Sequence, residues 1–249
     1  MHSGAWSISV VVPLFNEAGC VAGVVSEIVE ALRTNAAVAQ FEIVCVDDGS
    51  TDGTLQRLGA LRAIYPELKV VSHRENCGQS AALCSGVRAA RHALVATLDG
   101  DGQNDPHDIA AALAAFSSPT DDPVRLVIGH RVTRRDSWLR RLSSRVANSV
   151  RRRIVGDDTP DTGCGLKLFE RSTFLALPFF DHMHRFLPAL VMRQGGRVVS
   201  VPVNHRARTH GISKYGVHNR LWVGLVDLLG VVWLKRRAAP AWFWMEGGK

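Results

Sequence analysis

Through the first hundred residues, short β-branched runs alternate with longer stretches of helical periodicity, and few folds accept that order. Ile8-Val12, Phe41-Val46, Leu68-Ser72 and Leu94-Leu98 are apolar without a two-residue alternation, which reads as strands buried on both faces. Between them, Ala18-Arg33, Asp52-Ile64 and Gly78-Arg91 have the length and spacing of helices. Strand–helix alternation of this kind predicts βαβ units and an open, mostly parallel sheet flanked by helices, an α/β class. Asp105-Pro106 is a cap followed by a first-turn proline and opens another helix. Leu126-Gly129 and Arg197-Val203 read as later strands.

In open α/β sheets, ligands bind beyond the carboxyl ends of the strands. The polar clusters of this chain fall there. Pro13-Leu14-Phe15-Asn16-Glu17 follows the first strand, Asp47-Asp48-Gly49-Ser50-Thr51-Asp52-Gly53 the second, and Asp99-Gly100-Asp101-Gly102-Gln103 the fourth. One acidic turn merely caps a helix, as Asp52 is expected to do, but three at successive strand ends converge on one crevice. Asp99 and Asp101, separated by one small residue, can reach a common cation, and Gly100 lets a ligand approach the backbone. Hard oxygen ligands favour Mg²⁺ or Mn²⁺, with Gln103 as a neutral third oxygen. No G-x-x-x-x-G-K-[ST] loop is present, so a bound diphosphate would rely on the cation and basic side chains.

Charge is distributed unevenly. The formal net charge is +7, and nine arginines fall between Arg131 and Arg153 while most acids precede residue 125. Such a block suits nucleic acid, anionic lipid or a phosphorylated ligand, or a solvated helix face. Nucleic acid is the least favoured, because no aromatic platform or helix-turn-helix pattern accompanies it. The five cysteines, Cys20, Cys45, Cys77, Cys84 and Cys164, lack metal-type pairing. They read as reduced thiols of a cytoplasmic protein, and the N-terminus has no signal-peptide pattern. Residues 221–234, LWVGLVDLLGVVWL, are apolar on nearly every face, with Lys235-Arg236-Arg237 and Trp242, Phe243 and Trp244 beyond. Fourteen residues are too few to cross ~30 Å of hydrocarbon as an upright helix. The stretch reads as an interfacial anchor on the cytoplasmic face of a membrane, or as a helix buried in the domain or in a homo-oligomer contact.

The series PLFNE, VDDGSTDGT, NCGQSAAL, LDGDGQNDP and RTHGISKY resembles the GT-A fold glycosyltransferases of family 2. Within them it is most similar to dolichyl- or polyprenyl-phosphate sugar transferases. The likeness covers about residues 7–216, which makes residues 1–216 a GT-A domain and 217–249 an apolar and basic tail. It implies inverting transfer of a hexose from a UDP- or GDP-linked sugar to a polyprenyl phosphate. It also implies roles for individual positions. Pro13, Phe15, Glu17 and Asp48 match positions that hold the nucleoside, and Asp99, Asp101 and Gln103 match the metal motif. Arg131 matches an arginine that contacts phosphate. Arg140 and Ser144, in Arg140-Arg141-Leu142-Ser143-Ser144, match the pattern that receives the acceptor phosphate. Arg208 and Lys214, in R-x-x-G-x-S-K, match residues that clamp the donor diphosphate. The family's aspartate-glycine signature stands here as Asp161-Thr162-Gly163-Cys164-Gly165, with Cys164 where serine is usual.

Charge alone then constrains the reaction. The cation, Arg208 and Lys214 would stabilise the departing nucleoside diphosphate. A hydroxyl acceptor needs a base, for which Asp161 is the candidate; a polyprenyl phosphate is already anionic near neutral pH and needs none. Arginine pairs with phosphate oxygens in two places, so the basic block and the absent need for a base agree. Two other functions compete: a family 2 transferase acting on a sugar hydroxyl, and a non-catalytic subunit that binds a nucleotide sugar.

Overall fold

The computed structural model describes residues 5–118, 122–131, 159–206 and 217–237, with side chains of the last stretch given from Val226 onward. Its seven strands are β1 (Trp6–Leu14), β2 (Val38–Asp47), β3 (Leu68–Ser72), β4 (Leu94–Thr97), β5 (Val124–Arg131), β6 (Lys167–Glu170) and β7 (Arg197–Val203). They form one sheet in the order β3-β2-β1-β4-β6-β5-β7. All neighbours run parallel except β6, which is antiparallel to both β4 and β5.

The helices are α1 (Val21–Arg33), α2 (Thr54–Ile64), α3 (Gln79–Ala89), α4 (Ile109–Phe116), α5 (Arg171–Leu175), α6 (Leu187–Arg193) and α7 (Val217–Arg236). The mostly parallel α/β architecture expected from the alternation is what the chain adopts. The Asp105-Pro106 start opens a 3-10 turn, Pro106–Asp108, in which Asp105 accepts from His107 N, and α4 continues from it.

The unbroken apolar runs have a simple cause: both faces of the sheet are covered. Successive strand residues point to opposite faces, and Val10 and Val12 of β1 belong to one core while Val11 belongs to the other. In β2, Ile43 and Cys45 divide from Val44 and Val46 in the same way. The first core is closed by α1, whose Val21, Val24, Val25, Ile28 and Leu32 form a stripe at helical spacing. The second is closed by α3 through Ala82, Leu83 and Val87 and by α6 through Leu187, Leu190 and Val191. Burial pushes the Cys45 thiol up to about 12, so it packs as a small apolar side chain. All five cysteines are free.

Helix α7 packs by one face and exposes another. Val231 is fully buried in the second core, Arg193 Nε donates to the Leu234 carbonyl (2.9 Å), and His182 Nδ1 lies 3.2 Å from Asp227 Oδ2. Val226, Leu229 and Trp233 form an outward stripe, each at least 60% exposed. No helix among the described residues is long and apolar enough to cross a membrane.

Candidate active site

The carboxyl ends of β1, β2 and β4 open on one cavity of about 410 Å³, within the range of small-molecule sites. Half of the lining comes from the β1 and β2 ends and the 73–78 loop, with Pro13, Phe15, Glu17, Asp48 and Asn76. Asp99, Gly100 and Asp101 come from the turn after β4. The other half comes from later in the chain, with Gly163, Cys164, Gly165, Lys167, His184 and Arg185.

In the first half the loops tie one another down. Asn16, at φ 55°, accepts from Thr51 N through Oδ1 (2.7 Å), and its own N–H donates to Ser50 Oγ (2.9 Å). Glu17 N donates to Thr54 Oγ1 (3.0 Å), and Ala18 N to Asp52 Oδ2 (3.0 Å). Asp52 does serve α2, since its other oxygen accepts from Thr54 N (3.1 Å), but the same carboxylate also fixes the β1–α1 loop. Burial pushes the Asp52 carboxyl up, and the hydrogen bonds from Thr54 and Ala18 outweigh it and hold it below the usual range.

Asp48 is buried and fully engaged by the chain itself. Its Oδ1 accepts from His73 Nδ1 (2.7 Å) and Cys77 N (2.9 Å), its Oδ2 from Asn76 Nδ2 (2.9 Å) and Gly78 N (2.8 Å). The carboxylate borders the cavity, but what it chiefly does is fold the 73–78 loop against β2. Asp48, His73 and Cys77 bring ligand atoms within 4.8 Å of one another. They do not make a cation site, because the Asp48 oxygens are taken and His73 Nε2 is bonded to Ser85 Oγ (2.9 Å).

The Asp99 turn is held from four sides. Asp99 N donates to Asn104 Oδ1 (2.9 Å), Gln79 Nε2 donates to Asp99 Oδ1 (3.0 Å), and Gln103 N donates to Asp101 Oδ1 (3.1 Å). Thr97 Oγ1 reaches across to the Gly165 carbonyl (2.6 Å), which draws the β6 entry against β4. A Cβ at Gly100 would strike Leu14 and one at Gly165 would strike Asp99 and Asn104. Gly100 is thus required by close packing against β1, a different reason from ligand approach.

Burial pushes the Asp99 carboxyl up; the neighbouring Asp101 charge adds to this, while Lys167, Arg131 and the Gln79 hydrogen bond oppose it. Two carboxylates in a sheltered cavity, one of them reluctant to ionise, form a donor set whose strain a divalent cation relieves. The residues therefore fit Mg²⁺ or Mn²⁺ at Asp99 and Asp101.

Other expected site residues stand elsewhere. Gln103 does not line the cavity: its amide Nε2 donates to the Arg206 carbonyl (3.2 Å) and lies 3.5 Å from His205 Nε2. Arg131 and Asp161, given separate roles by the resemblance, grip each other. Nε meets Oδ2 at 2.6 Å and Nη2 meets Oδ1 at 2.8 Å, a two-pronged pair that raises the Arg131 guanidinium further. Neither lines the cavity, although Gly163 beside them does. Both Asp161 oxygens are thus engaged by the Arg131 guanidinium. Arg140, Ser144, Arg208 and Lys214 lie outside the described residues.

Sequence reading missed Lys167, His184 and Arg185. Lys167 is buried (5% exposed) on β6 and its ammonium donates to the Cys164 carbonyl. Burial pushes its pKa down while Asp99, Cys164 and Asp161 push it up, the net being downward. His184 bonds through Nδ1 to Ser80 Oγ at 2.7 Å. Burial, then the Lys167 and Arg185 charges, hold its imidazole well below the usual histidine range, so it is neutral at pH 7.

Known proteins place this cavity in context. A mannosyltransferase from Pyrobaculum calidifontis, solved with GDP-Man and Mn²⁺, is similar at TM-score 0.67 and 22% identity, covering 96% of this chain and 66% of that one. Glucosyl-3-phosphoglycerate synthase from Mycobacterium tuberculosis, solved with Mn²⁺, UDP and its product, is similar at TM-score 0.68 and 20% identity, covering 95% and 82%. At that identity these establish the fold. Dodecaprenyl-phosphate galacturonate synthase of Rhizobium johnstonii is 37% identical over 243 residues, 95% of this chain and 70% of the relative. Undecaprenyl-phosphate 4-deoxy-4-formamido-L-arabinose transferase of Edwardsiella ictaluri is 34% identical over 213 residues, 84% and 63%. The chain thus spans roughly two thirds of the length of these relatives. Residues 9–177 match the model of glycosyl transferase family 2, and with relatives this similar across nearly its whole length, the chain belongs to that family.

Proposed function

We propose that this chain is a metal-dependent, inverting glycosyltransferase that moves a sugar from a nucleotide diphosphate donor to a polyprenyl phosphate. The observation that carries the reading is the Asp99–Asp101 pair at the end of β4, in a cavity lined also by the packed β1 and β2 loops and by Lys167 and Arg185. The names of the curated relatives support the acceptor class. Pro13, Phe15, Glu17 and the Asp48-braced loop would hold the nucleoside, and Asp99 and Asp101 the Mg²⁺ or Mn²⁺. When bound, the cation would neutralise charge on the donor diphosphate.

The chain's own part is to bind, orient and stay out of proton transfer. A phosphate monoester is already a nucleophile near neutral pH, so no base is required. The cavity suits this: among the described residues His184 is the histidine that lines it, and Asp161 is paired with Arg131. Arg140 and Ser144 would receive the acceptor phosphate, and Arg208 and Lys214 the diphosphate, by resemblance. Residues 1–216 would form the transferase domain. The 217–249 tail would hold it on the cytoplasmic face of the membrane, with Val226, Leu229 and Trp233 of α7 toward lipid beside Lys235, Arg236 and Arg237. A sugar hydroxyl of a soluble or lipid-linked acceptor is the rival.

The test is release of nucleoside diphosphate from a panel of UDP- and GDP-sugars with Mn²⁺, in the presence of undecaprenyl phosphate or of free sugars. Release dependent on the lipid phosphate supports the proposal, and turnover with hydroxyl acceptors alone rejects it.

A further inference from the structure

One buried hydrogen-bond pair at the cavity has no role in the reaction outlined so far. Ser80, in the first turn of α3, is 1% exposed. Its Oγ accepts from the His184 backbone N–H (3.3 Å) and stands 2.7 Å from His184 Nδ1. A buried hydroxyl must place its single hydrogen on an acceptor. Among the described residues the acceptor that the Ser80 hydroxyl meets is His184 Nδ1. The network therefore assigns His184 the neutral tautomer protonated at Nε2. Its Nε2–H has no protein acceptor among the described residues, and the ring borders the cavity. Gln79, the neighbour of Ser80, donates to Asp99. One helical turn of α3 thus positions a carboxylate of the metal pair and, one residue on, a fixed N–H donor at the border of the same cavity.

A neutral donor facing an otherwise cationic border, with Lys167 and Arg185 beside it, suits an oxygen-rich group with acceptor atoms. We propose that His184, locked by Ser80 as the Nε2–H tautomer, is a specificity-determining residue that hydrogen-bonds an oxygen of the donor's glycosyl group. This rests on the nucleotide-sugar reading above. It goes further by assigning the glycosyl end of the cavity to a pair of residues that no motif marked.

The experiment is calorimetric titration of the full chain, with Mn²⁺, by UDP, GDP, UDP-glucose, UDP-galacturonate and GDP-mannose. His184→Leu keeps the bulk of the side chain and removes the donor. It is expected to weaken the nucleotide sugar that binds wild type by about tenfold, the worth of one buried hydrogen bond. The corresponding nucleoside diphosphate should bind as before. His184→Gln, which returns an N–H donor, is expected to recover most of the loss, and Ser80→Ala to give an intermediate one. Should His184→Leu fail to fold, Ser80→Ala and His184→Gln carry the same comparison. Equal changes for the nucleotide and the nucleotide sugar, or no change for either, overturn the glycosyl subsite and leave the proposed function standing. Wild type that binds none of the five ligands overturns both.

Discussion

The two halves of the cavity are built on opposite principles. In the half formed by the ends of β1 and β2, Asp48 accepts four N–H donors, and Asp52 and Asn16 stitch the two loops together, although the buried Asp47 Oδ1 meets no donor among the described residues. In the other half and at Asp99, ionisable groups are buried and that burial shifts their protonation. Lys167 is buried with its pKa lowered, Asp99 is raised, and His184 is held neutral with Nε2 unmatched among the described residues. A satisfied network is rigid and a poor place for chemistry, whereas unmatched charge is a place where a ligand adds stability. In the proposed function, recognition of a constant group, the nucleoside, falls to the first half and handling of the reacting groups to the second.

The sharpest way to break this division is at its seam. Asp101→Ala leaves the packed loops alone and removes a cation ligand, so sugar transfer should fall by about 10³-fold while the melting temperature hardly moves. Parallel loss of Mn²⁺-dependent nucleotide binding would tie the defect to the cation. Asp48→Ala should act in the other direction, chiefly on folding. It strands the donors of His73, Asn76, Cys77 and Gly78, and a loss of about 3 kcal/mol in urea unfolding is expected. A change at Asp48 that left stability intact and abolished only nucleotide binding would mean that the first half is less self-contained than its hydrogen bonds indicate.

A smaller effect is expected from Gly165→Ala. The added methyl pushes on Asp99 and Asn104, and overpacking of this kind costs about 1–3 kcal/mol; here it should also weaken Mn²⁺ binding, which titration would register. Smaller still is the acid response of the loop clamp. The Asp52 carboxyl is held below its unfolded value, so its contribution is present above the unfolded pKa and lost as pH falls through the folded one. Thermal melts at decreasing pH should decline below about pH 4 less steeply in Asp52→Asn than in wild type.

What could be read from the sequence follows the same division. The strands of the first half are long apolar runs with acidic turns directly after them, so their parallel pairing and the positions of Asp48, Asp99 and Asp101 were legible, while their order across the sheet was not. Asp52 was legible as a helix partner but not as the tether of Ala18, because that contact joins residues 34 apart. β6 was invisible: Lys167-Leu168-Phe169-Glu170 is four residues long, and its antiparallel place is set by pairing with β4 and β5 rather than by its own pattern. Lys167 and His184 belong to no local motif and acquire meaning only where the sheet brings them to Asp99 and Ser80. The Arg131–Asp161 pair shows the limit most clearly. Both residues were picked out, and their mutual grip across 30 positions was not.

The most direct test of the central claim is the transfer assay itself, run on the full chain with a donor panel, Mn²⁺ and undecaprenyl phosphate. A glycosylated lipid phosphate is expected with wild type, reduced about 10³-fold with Asp101→Ala. Transfer that persists undiminished in Asp101→Ala, or that goes only to sugar hydroxyls, would contradict it.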